Sequence, residues 1–359
     1  MILVGYLFRQ VLPPFGFGIL VFSGVLLLDK IFDLMDLLMN KGVGLGIILK
    51  MFLLFLPTVL SLTVPMSALL ASILAFGRLA EDNEITALRA SGLSFLQILS
   101  PTLLAVLALC LLLIPFNAFW APKSTGHFRS LYHQILKSDP LIRIEPKQFL
   151  SIQNVRLYAR DVAPDRSSMR DVLLYQYGTD YSQRIFARQG RAKMENDALT
   201  LSFQNGQLTR FVEGKPKDVM QFRFDKYELS VPLQGPDSTR GISWREMTRE
   251  QLKKEIRTRI QAGAPQGVVN AELQLRYAIS FSPLALVILG IPLGLVLERG
   301  GRGVGFGASL GVVFGYYLLL IWGLTMAEKD SWPAIPALWM ANIVAVVAGL
   351  ALYRIKLNK

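Results

Sequence analysis

The chain has 359 residues, of which 52% are hydrophobic and only 18% charged, and its formal net charge is +12 at pH 7. Of its 38 Lys and Arg residues, 25 lie between Lys123 and Arg259. This distribution excludes an ordinary soluble protein, which carries about 25% charged residues throughout, and predicts a membrane protein with a hydrophilic insertion. The single cysteine, Cys110, excludes an intramolecular disulfide, and the spacing of His127 and His133 does not fit helical metal ligands.

Six stretches are long and apolar enough to span a bilayer, which takes about 20 residues. They cover about 11–28, 47–79, 95–120, 275–297, 304–326 and 334–353. The first is expected to continue as an amphipathic extension to Leu38. Pro57 and Pro65 predict that the long second span is tilted or kinked.

Basic residues beside the spans set the orientation of the chain in the membrane. They fall on one side, at Arg9, Arg78, Arg89, Arg299, Arg302, Arg354, Lys356 and Lys359. This side is therefore predicted to be cytoplasmic, with both termini inside. The block between the third and fourth spans is then outside, which in a bacterium is the periplasm.

The outer block, about 121–231, is predicted to be a β domain. Apolar and polar residues alternate over 199–204 and 220–225, which indicates strands with one apolar face and one wet face. Asn205-Gly206 predicts a two-residue hairpin turn between two short strands. The pattern favours an antiparallel sheet folded into a sandwich or partial roll.

A charged segment connects this block to the fourth span. Ser243 and Glu246 have the spacing of a capping box and predict the start of an amphipathic helix, with Leu252, Ile256 and Ile260 on one face. Such a helix is a surface connector or, because its polar face is basic, lies on the membrane surface.

The predicted cytoplasmic segment between the second and third spans reads GRLAEDNEITALRASG over 77–92. Asp82 or Asn83 can cap a short helix there, Glu84 lies in its first turn and Gly92 can end it. A short helix that exposes a carboxylate and apolar residues suits docking into a groove on a partner, and an ordered loop is the alternative. The candidate docking residues are Asp82, Glu84, Ile85, Leu88 and Arg89.

This segment resembles the coupling segment of the lipopolysaccharide-export permeases of the LptF/LptG family. The same family is matched at Tyr6-Leu-Phe-Arg9, Pro57, Pro65, Glu272-Leu-Gln-Leu-Arg276, Pro283 and LGIPLG over 289–294. The resemblance covers essentially the whole chain, and the short N-terminus before the first span is closer to the LptF branch.

The resemblance implies an α-helical, six-span inner-membrane protein with a periplasmic β-jellyroll between helices three and four. The implied domains are an N-terminal bundle over 1–120 with its coupling helix at about 80–93, the jellyroll over 121–242, a connector over 243–271 and a C-terminal bundle over 272–359. Such a permease extracts lipopolysaccharide from the outer leaflet of the inner membrane and passes it to a periplasmic bridge.

The resemblance also implies the partners. These are a cytoplasmic LptB-like ABC ATPase dimer, a homologous LptG-like permease, a single-span LptC-like protein, a periplasmic jellyroll bridge and lipopolysaccharide. ATP and Mg are used by the ATPase, so this chain is expected to bind no cofactor and to be no enzyme. The sequence agrees, because it has no phosphate-binding loop motif on the cytoplasmic side. Nucleic acid is excluded by compartment.

Two transmembrane sites follow from residues and resemblance together. Gly303, Gly307, Gly311 and Gly315 recur every four residues and share one helix face, which allows close packing in lipid. Packing within the chain is one interpretation, and the resemblance implies a subunit interface. Lys30, at the outer end of the first span, is implied to contact lipid A phosphates. Snorkelling, or pairing with nearby aspartates, is the alternative.

The apolar face of the β domain is the last candidate site. Phe203, Phe222 and Phe224 are either ordinary core residues or shelter acyl chains, which gain about 0.8 kcal/mol for each CH₂ removed from water. The domain and connector carry 25 basic and 16 acidic residues over 121–271, which suits an anionic glycolipid or simply solubility.

Two other classes of protein are weighed against this reading. A mechanotransmitting ABC membrane protein that moves no lipid would need a closed, filled β domain. A membrane-bound enzyme would need convergent catalytic groups, and the block has no G-x-S-x-G elbow and no cysteine. No catalytic or metal-binding residue is therefore predicted.

Overall fold

A computed structural model describes residues 2–39, 43–138, 146–152, 154–163, 167–177, 181–195, 198–212, 219–232, 243–297 and 301–357. The chain divides into two compact units, one of Met1–Phe128 with Ser243–Lys359 and one of Arg129–Ile242. The first unit is helical and the second contains a six-stranded sheet. The predicted fold class, six membrane-crossing helices with an all-β insertion between the third and fourth, is confirmed.

The helices are α1 (Ile2–Met39), α2 (Leu45–Glu81), α3 (Glu84–Ala90), α4 (Phe95–Pro115), α5 (Ala121–Ser138), α6 (Arg249–Gln261), α7 (Gly267–Val296), α8 (Gly301–Glu328) and α9 (Ala334–Leu357). In the described ranges, six helical stretches are long and apolar enough to cross a membrane, and they lie in α1, α2, α4 with α5, α7, α8 and α9. Helix α2 continues through Pro57 and Pro65 without a break.

The central helix of the spanning bundle is α7. The 18-residue apolar stretch of α7 is 67% buried within the chain, whereas the corresponding stretches of the other five spans are 22–33% buried. Small residues allow this burial, because a Cβ on Gly294 would lie 2.6 Å from the carbonyl oxygen of Ile73 on α2. Between helices in lipid, such close backbone contact is a main source of association.

The third span does not end at Trp120, and the prediction that residues 121–138 begin the β block was wrong. A π-helical segment, Phe116–Trp120, joins α4 to α5, which continues to Ser138. The side of α5 that includes Thr125 and Phe128 packs back on α2, where the Thr125 and Thr58 hydroxyls are 2.8 Å apart. Helical periodicity of apolar residues, rather than strand alternation, therefore governs this segment.

The start of the connector helix also differs from the prediction. Residues 243–247 form a turn, and α6 begins after Thr248, whose backbone N–H donates to the side chain of Gln251 at 2.8 Å. Leu252 is fully buried against α7, so α6 is seated on the bundle. Arg276 of α7 fixes the turn by donating to the carbonyls of Met247 (2.6 Å) and Trp244 (3.0 Å).

The sheet is an antiparallel meander in which each strand pairs with its neighbours in sequence. Its strands are β1 (Phe149–Ile152), β2 (Val155–Val162), β3 (Ser168–Tyr177), β4 (Tyr181–Glu195), β5 (Ala198–Val212) and β6 (Val219–Pro232). The hairpin predicted at Asn205-Gly206 was wrong, because both residues lie inside β5, which pairs with β4 and β6 in constant register on either side of them.

Asn205 instead belongs to a line across the sheet that we call the crease. At this level, each of β2 to β6 has two consecutive residues that face away from the core, and all ten are polar. They are Arg160, Asp161, Arg170, Asp171, Arg188, Gln189, Gln204, Asn205, Asp225 and Lys226. Asp171 and Asn205 take positive φ angles of 47° and 52°, which aspartate and asparagine tolerate better than other side chains.

The crease keeps the apolar core on one side of the sheet along the whole length of the strands. A shift of one residue in the alternation of a strand exchanges its faces, and all five strands make this shift at the same level. Phe203 and Leu208 on either side of the crease in β5 are therefore both buried in one apolar cluster.

We expect Asn205→Val to destabilise the β unit by at least about 1–2 kcal/mol, because a β-branched residue is strained at positive φ. Asn205→Gly should unfold like the unchanged protein. Thr200→Val, in the regular part of the same strand, is the matched control. The midpoint of thermal unfolding is measured on the purified chain, with protease cleavage within residues 129–242 as the readout at each temperature. Equal midpoints for the two valine variants would contradict the role of the crease.

Candidate functional site

The candidate docking segment is a short helix held between two left-handed residues. Asn83 precedes α3 with φ 57°, and Gly92 follows it with φ 93°. Gly92 therefore ends the helix as predicted, while the helix itself, Glu84–Ala90, is shorter than the predicted 80–93. The positive φ angles at Asn83 and Gly92 interrupt the helical backbone on both sides of α3, which is therefore a helix separate from α2 and α4.

The five candidate docking residues have different environments. Ile85 is 7% exposed and packs into an apolar cluster with Leu79 and Phe95, so it anchors α3 to the bundle. Asp82 and Arg89 are exposed, and Leu88 is half-buried. Asp82 pairs with Arg78 at 3.5 Å, and an ion pair this exposed contributes less than about 1 kcal/mol.

Glu84 is half-buried and hydrogen-bonded to the first helix. The Tyr6 hydroxyl donates to its Oε2 atom at 2.5 Å, and the Gln10 side chain donates to the Tyr6 oxygen at 3.0 Å. Sequence reasoning included Tyr6 only as part of a family match and did not single out Gln10. The available signal was the i, i+4 spacing of these two polar residues near the start of a mostly apolar helix.

The four predicted glycines lie on an open face of α8. Apart from the adjacent backbone of α8 itself, a Cβ at Gly303, Gly307, Gly311 or Gly315 would meet no described atom within 4 Å. Large side chains on the same face, including Phe314 and Leu318, are exposed as well. By contrast, a Cβ at Gly323, farther along α8, would approach the backbone of Ala337. Packing within the described part of the chain therefore does not account for the four glycines.

Lys30 has a half-buried side chain on α1 that interacts within the chain. The side chains of its predicted acidic neighbours, Asp29 and Asp33, lie outside the described residues. Its predicted contact with lipid phosphates stays a prediction.

The three predicted phenylalanines of the sheet have different surroundings. Phe203 is fully buried in the core. Phe224 is half-buried, with its ring 5.4 Å from that of Tyr227. Phe222, on the same face, is 53% exposed, and so is its β6 neighbour Met220 at 50%.

The exposed pair belongs to what we call the open end of the inner face. Here Phe222 and Met220 are exposed on the apolar side of the sheet, and polar groups, of which Gln183 is itself buried, lie on the same side. Gln183 donates to Gln176 at 2.6 Å, and Arg210 reaches Gln183 at 3.4 Å. The open end thus offers an apolar surface bordered by a cation and amides, and sequence alternation alone could not separate it from the filled core.

No three His, Cys, Asp or Glu side chains come together as metal ligands within the ranges given above. Six spans, a short helix between the second and third, and an inserted sheet form the architecture of a multi-pass membrane protein with an inserted β domain.

Comparison with known proteins specifies the class. The family "Lipopolysaccharide export system permease LptF/LptG" matches residues 5–355, and the chain belongs to this family. It is 21% identical over 363 aligned residues to the lipopolysaccharide export system permease protein LptF of Escherichia coli K12, covering 98% of this chain and 94% of that protein. The LptF protein of Shigella flexneri matches equally. The chain is a multi-pass protein of the inner membrane.

Proposed function

We propose that this permease subunit works in an ATP-driven transporter that extracts lipopolysaccharide from the outer leaflet of the inner membrane and passes it to a periplasmic bridge. The observation that carries the proposal is α3, a separate short helix with a half-buried carboxylate at the end of the bundle predicted to be cytoplasmic, in a chain that matches the family over residues 5–355.

Energy enters through α3. Glu84 inserts into a groove of an LptB-like ATPase dimer, which uses ATP and Mg, while Leu88 and Arg89 line the contact. Ile85 supports this role from the other side, because its burial transfers force from α3 to the spanning bundle. Closure of the ATPase dimer then moves the bundle without chemistry in this chain.

The open face of α8 is the contact with an LptG-like partner permease, and an LptC-like single-span protein joins the assembly. Support comes from the exposed glycines, which let a second backbone approach closely in lipid. The cargo cavity lies between the two permeases, where Lys30 meets lipid phosphates.

The sheet receives the cargo in the periplasm. Acyl chains enter over Phe222 and Phe224 at the open end of the inner face, while Phe203 remains in the core. This division is supported by the 53% exposure of Phe222 and the complete burial of Phe203. The net positive charge of the domain attracts an anionic glycolipid.

Glu84→Ala and Glu84→Arg should abolish transport and weaken ATPase co-purification, because the docking carboxylate is removed or replaced by a cation. Glu81→Ala, an exposed carboxylate three residues earlier, is the matched control and should behave as wild type. Complementation of a depletion strain and pull-down of the ATPase measure both effects. Normal growth of depleted cells whose only copy of the permease carries Glu84→Arg would disprove docking through this residue.

A photo-crosslinking side chain at Phe222 should capture lipopolysaccharide in the working transporter. Phe186 is the matched control, since it is similarly exposed, at 47%, but faces outward from β4. Immunoblotting for lipopolysaccharide adducts reads out the result. Adducts absent from Phe222, or equal at both positions, would favour a mechanotransmitter that moves no lipid.

Gly311→Leu should leave this chain folded, because no described neighbour is close, but should lower assembly with the partner permease and transport at least about tenfold. That loss corresponds to about 1.4 kcal/mol of association free energy. Ala351→Leu places the same side chain at an exposed position on α9 and serves as the control. Co-purification of the two permeases is the measurement, and full assembly of Gly311→Leu would refute the interface.

A further inference from the structure

Tyr6 joins the first spanning helix to the docking segment through a single, directed hydrogen bond. Its hydroxyl donates to Glu84 Oε2 at 2.5 Å across 78 residues of sequence. Because Gln10 donates to the same hydroxyl oxygen at 3.0 Å, the Tyr6 proton is directed toward the carboxylate. Gln10 and Tyr6 of α1 thus form two consecutive hydrogen bonds, which we call the relay, that end on Glu84, the side chain proposed to bind the ATPase.

The relay occupies only one oxygen of Glu84. Among the described residues, the carboxylate has no hydrogen bond at Oε1, and the nearby Arg78 pairs with Asp82 instead. A carboxylate accepts several hydrogen bonds at once. Oε1 can therefore bind a partner's cation while Oε2 stays on Tyr6.

The residues next to the donor and the acceptor of this hydrogen bond belong to one apolar cluster. Leu7, the residue after Tyr6, is 1% exposed and belongs to the same cluster as Ile85, the residue after Glu84. The start of α1 and the first turn of α3 are therefore each anchored in the same apolar cluster of the bundle, independently of the hydrogen bond. This leaves the hydroxyl to determine where the carboxylate points.

We infer that Tyr6 is a positioning residue for coupling, and the inference rests on the proposed docking of α3. It holds Glu84 so that Oε1 faces a guanidinium or ammonium group of the ATPase partner, and it connects displacement of α3 directly to α1. Fixing a flexible side chain in its bound conformation raises affinity by lowering the entropy lost on binding.

The test is a double-mutant cycle on the full-length chain within its permease assembly in nanodiscs, with the Kd for the purified cognate ATPase as readout. Tyr6→Phe keeps the ring and removes the hydroxyl, and should weaken ATPase binding on the order of tenfold. In the Glu84→Ala background the same substitution should change the Kd less than about twofold, because residues that act through one group are not additive.

Two further variants control the cycle. Tyr353→Phe removes a hydroxyl from a half-buried tyrosine that packs on Phe95, and should leave the Kd unchanged. Gln10→Met keeps the Tyr6 hydroxyl but removes the amide that donates a hydrogen bond to it, and should weaken ATPase binding by about twofold to fourfold. If Tyr6→Phe does not assemble, Gln10→Met in both backgrounds supplies the same comparison.

The outcomes separate the inference from the proposal beneath it. Wild-type ATPase binding by Tyr6→Phe, with Glu84→Ala strongly impaired, overturns only the positioning role. Equal weakening in both backgrounds also overturns it, since Tyr6 would then support folding rather than Glu84. An unchanged Kd for Glu84→Ala overturns docking through Glu84, and the positioning role with it.

Discussion

The close crossing of α2 and α7 is the constraint on which the rest of the molecule depends. Lipid tails are as apolar as leucine side chains, so spanning helices gain little from hydrophobic burial against one another and rely on contact and hydrogen bonding. Gly290 and Gly294 provide that contact, because a side chain at either position would collide with α2. Pro57 and Pro65 lie inside α2, and Pro283 and Pro292 lie inside α7. Spanning helices tolerate proline where neighbouring groups can satisfy the freed backbone.

Two buried asparagines of the bundle connect neighbouring helices by hydrogen bonds. Asn342 accepts from the Tyr316 hydroxyl at 2.8 Å and donates to the carbonyl of Ala278 at 2.9 Å, joining α7, α8 and α9. Asn117 donates to Ser280 at 2.9 Å and joins the π-helical segment to α7. Such bonds contribute about 1 kcal/mol each in membranes, so they select one arrangement of helices more than they add stability.

Sequence reasoning located the spans because hydropathy over about 20 residues is a strong signal. It failed where a local pattern competes with tertiary context. Asn205-Gly206 has the composition of a hairpin turn, yet constant pairing on both sides keeps β5 continuous, and only the neighbouring strands reveal the crease. Residues 121–138 were assigned by their charge to the outer block, although their apolar spacing is helical.

The candidate site was predicted to a similar degree. The segment around Glu84 could be found from its charge, caps and resemblance. Its hydrogen bond to Tyr6 could not, because the two residues are 78 positions apart and only folding brings them together. The glycine pattern on α8 was visible in the sequence, but its exposure depended on which side of α8 the rest of the bundle covers.

The pairing of the six strands in sequence order has a consequence for how the chain is made. Contacts between adjacent segments form faster than distant ones, because little loop entropy is lost. A hairpin closes in about 1–10 μs, whereas synthesis proceeds at about 5–20 residues per second. Each strand can therefore join the preceding one as soon as it is released, so the insertion can fold before the C-terminal helices are translated.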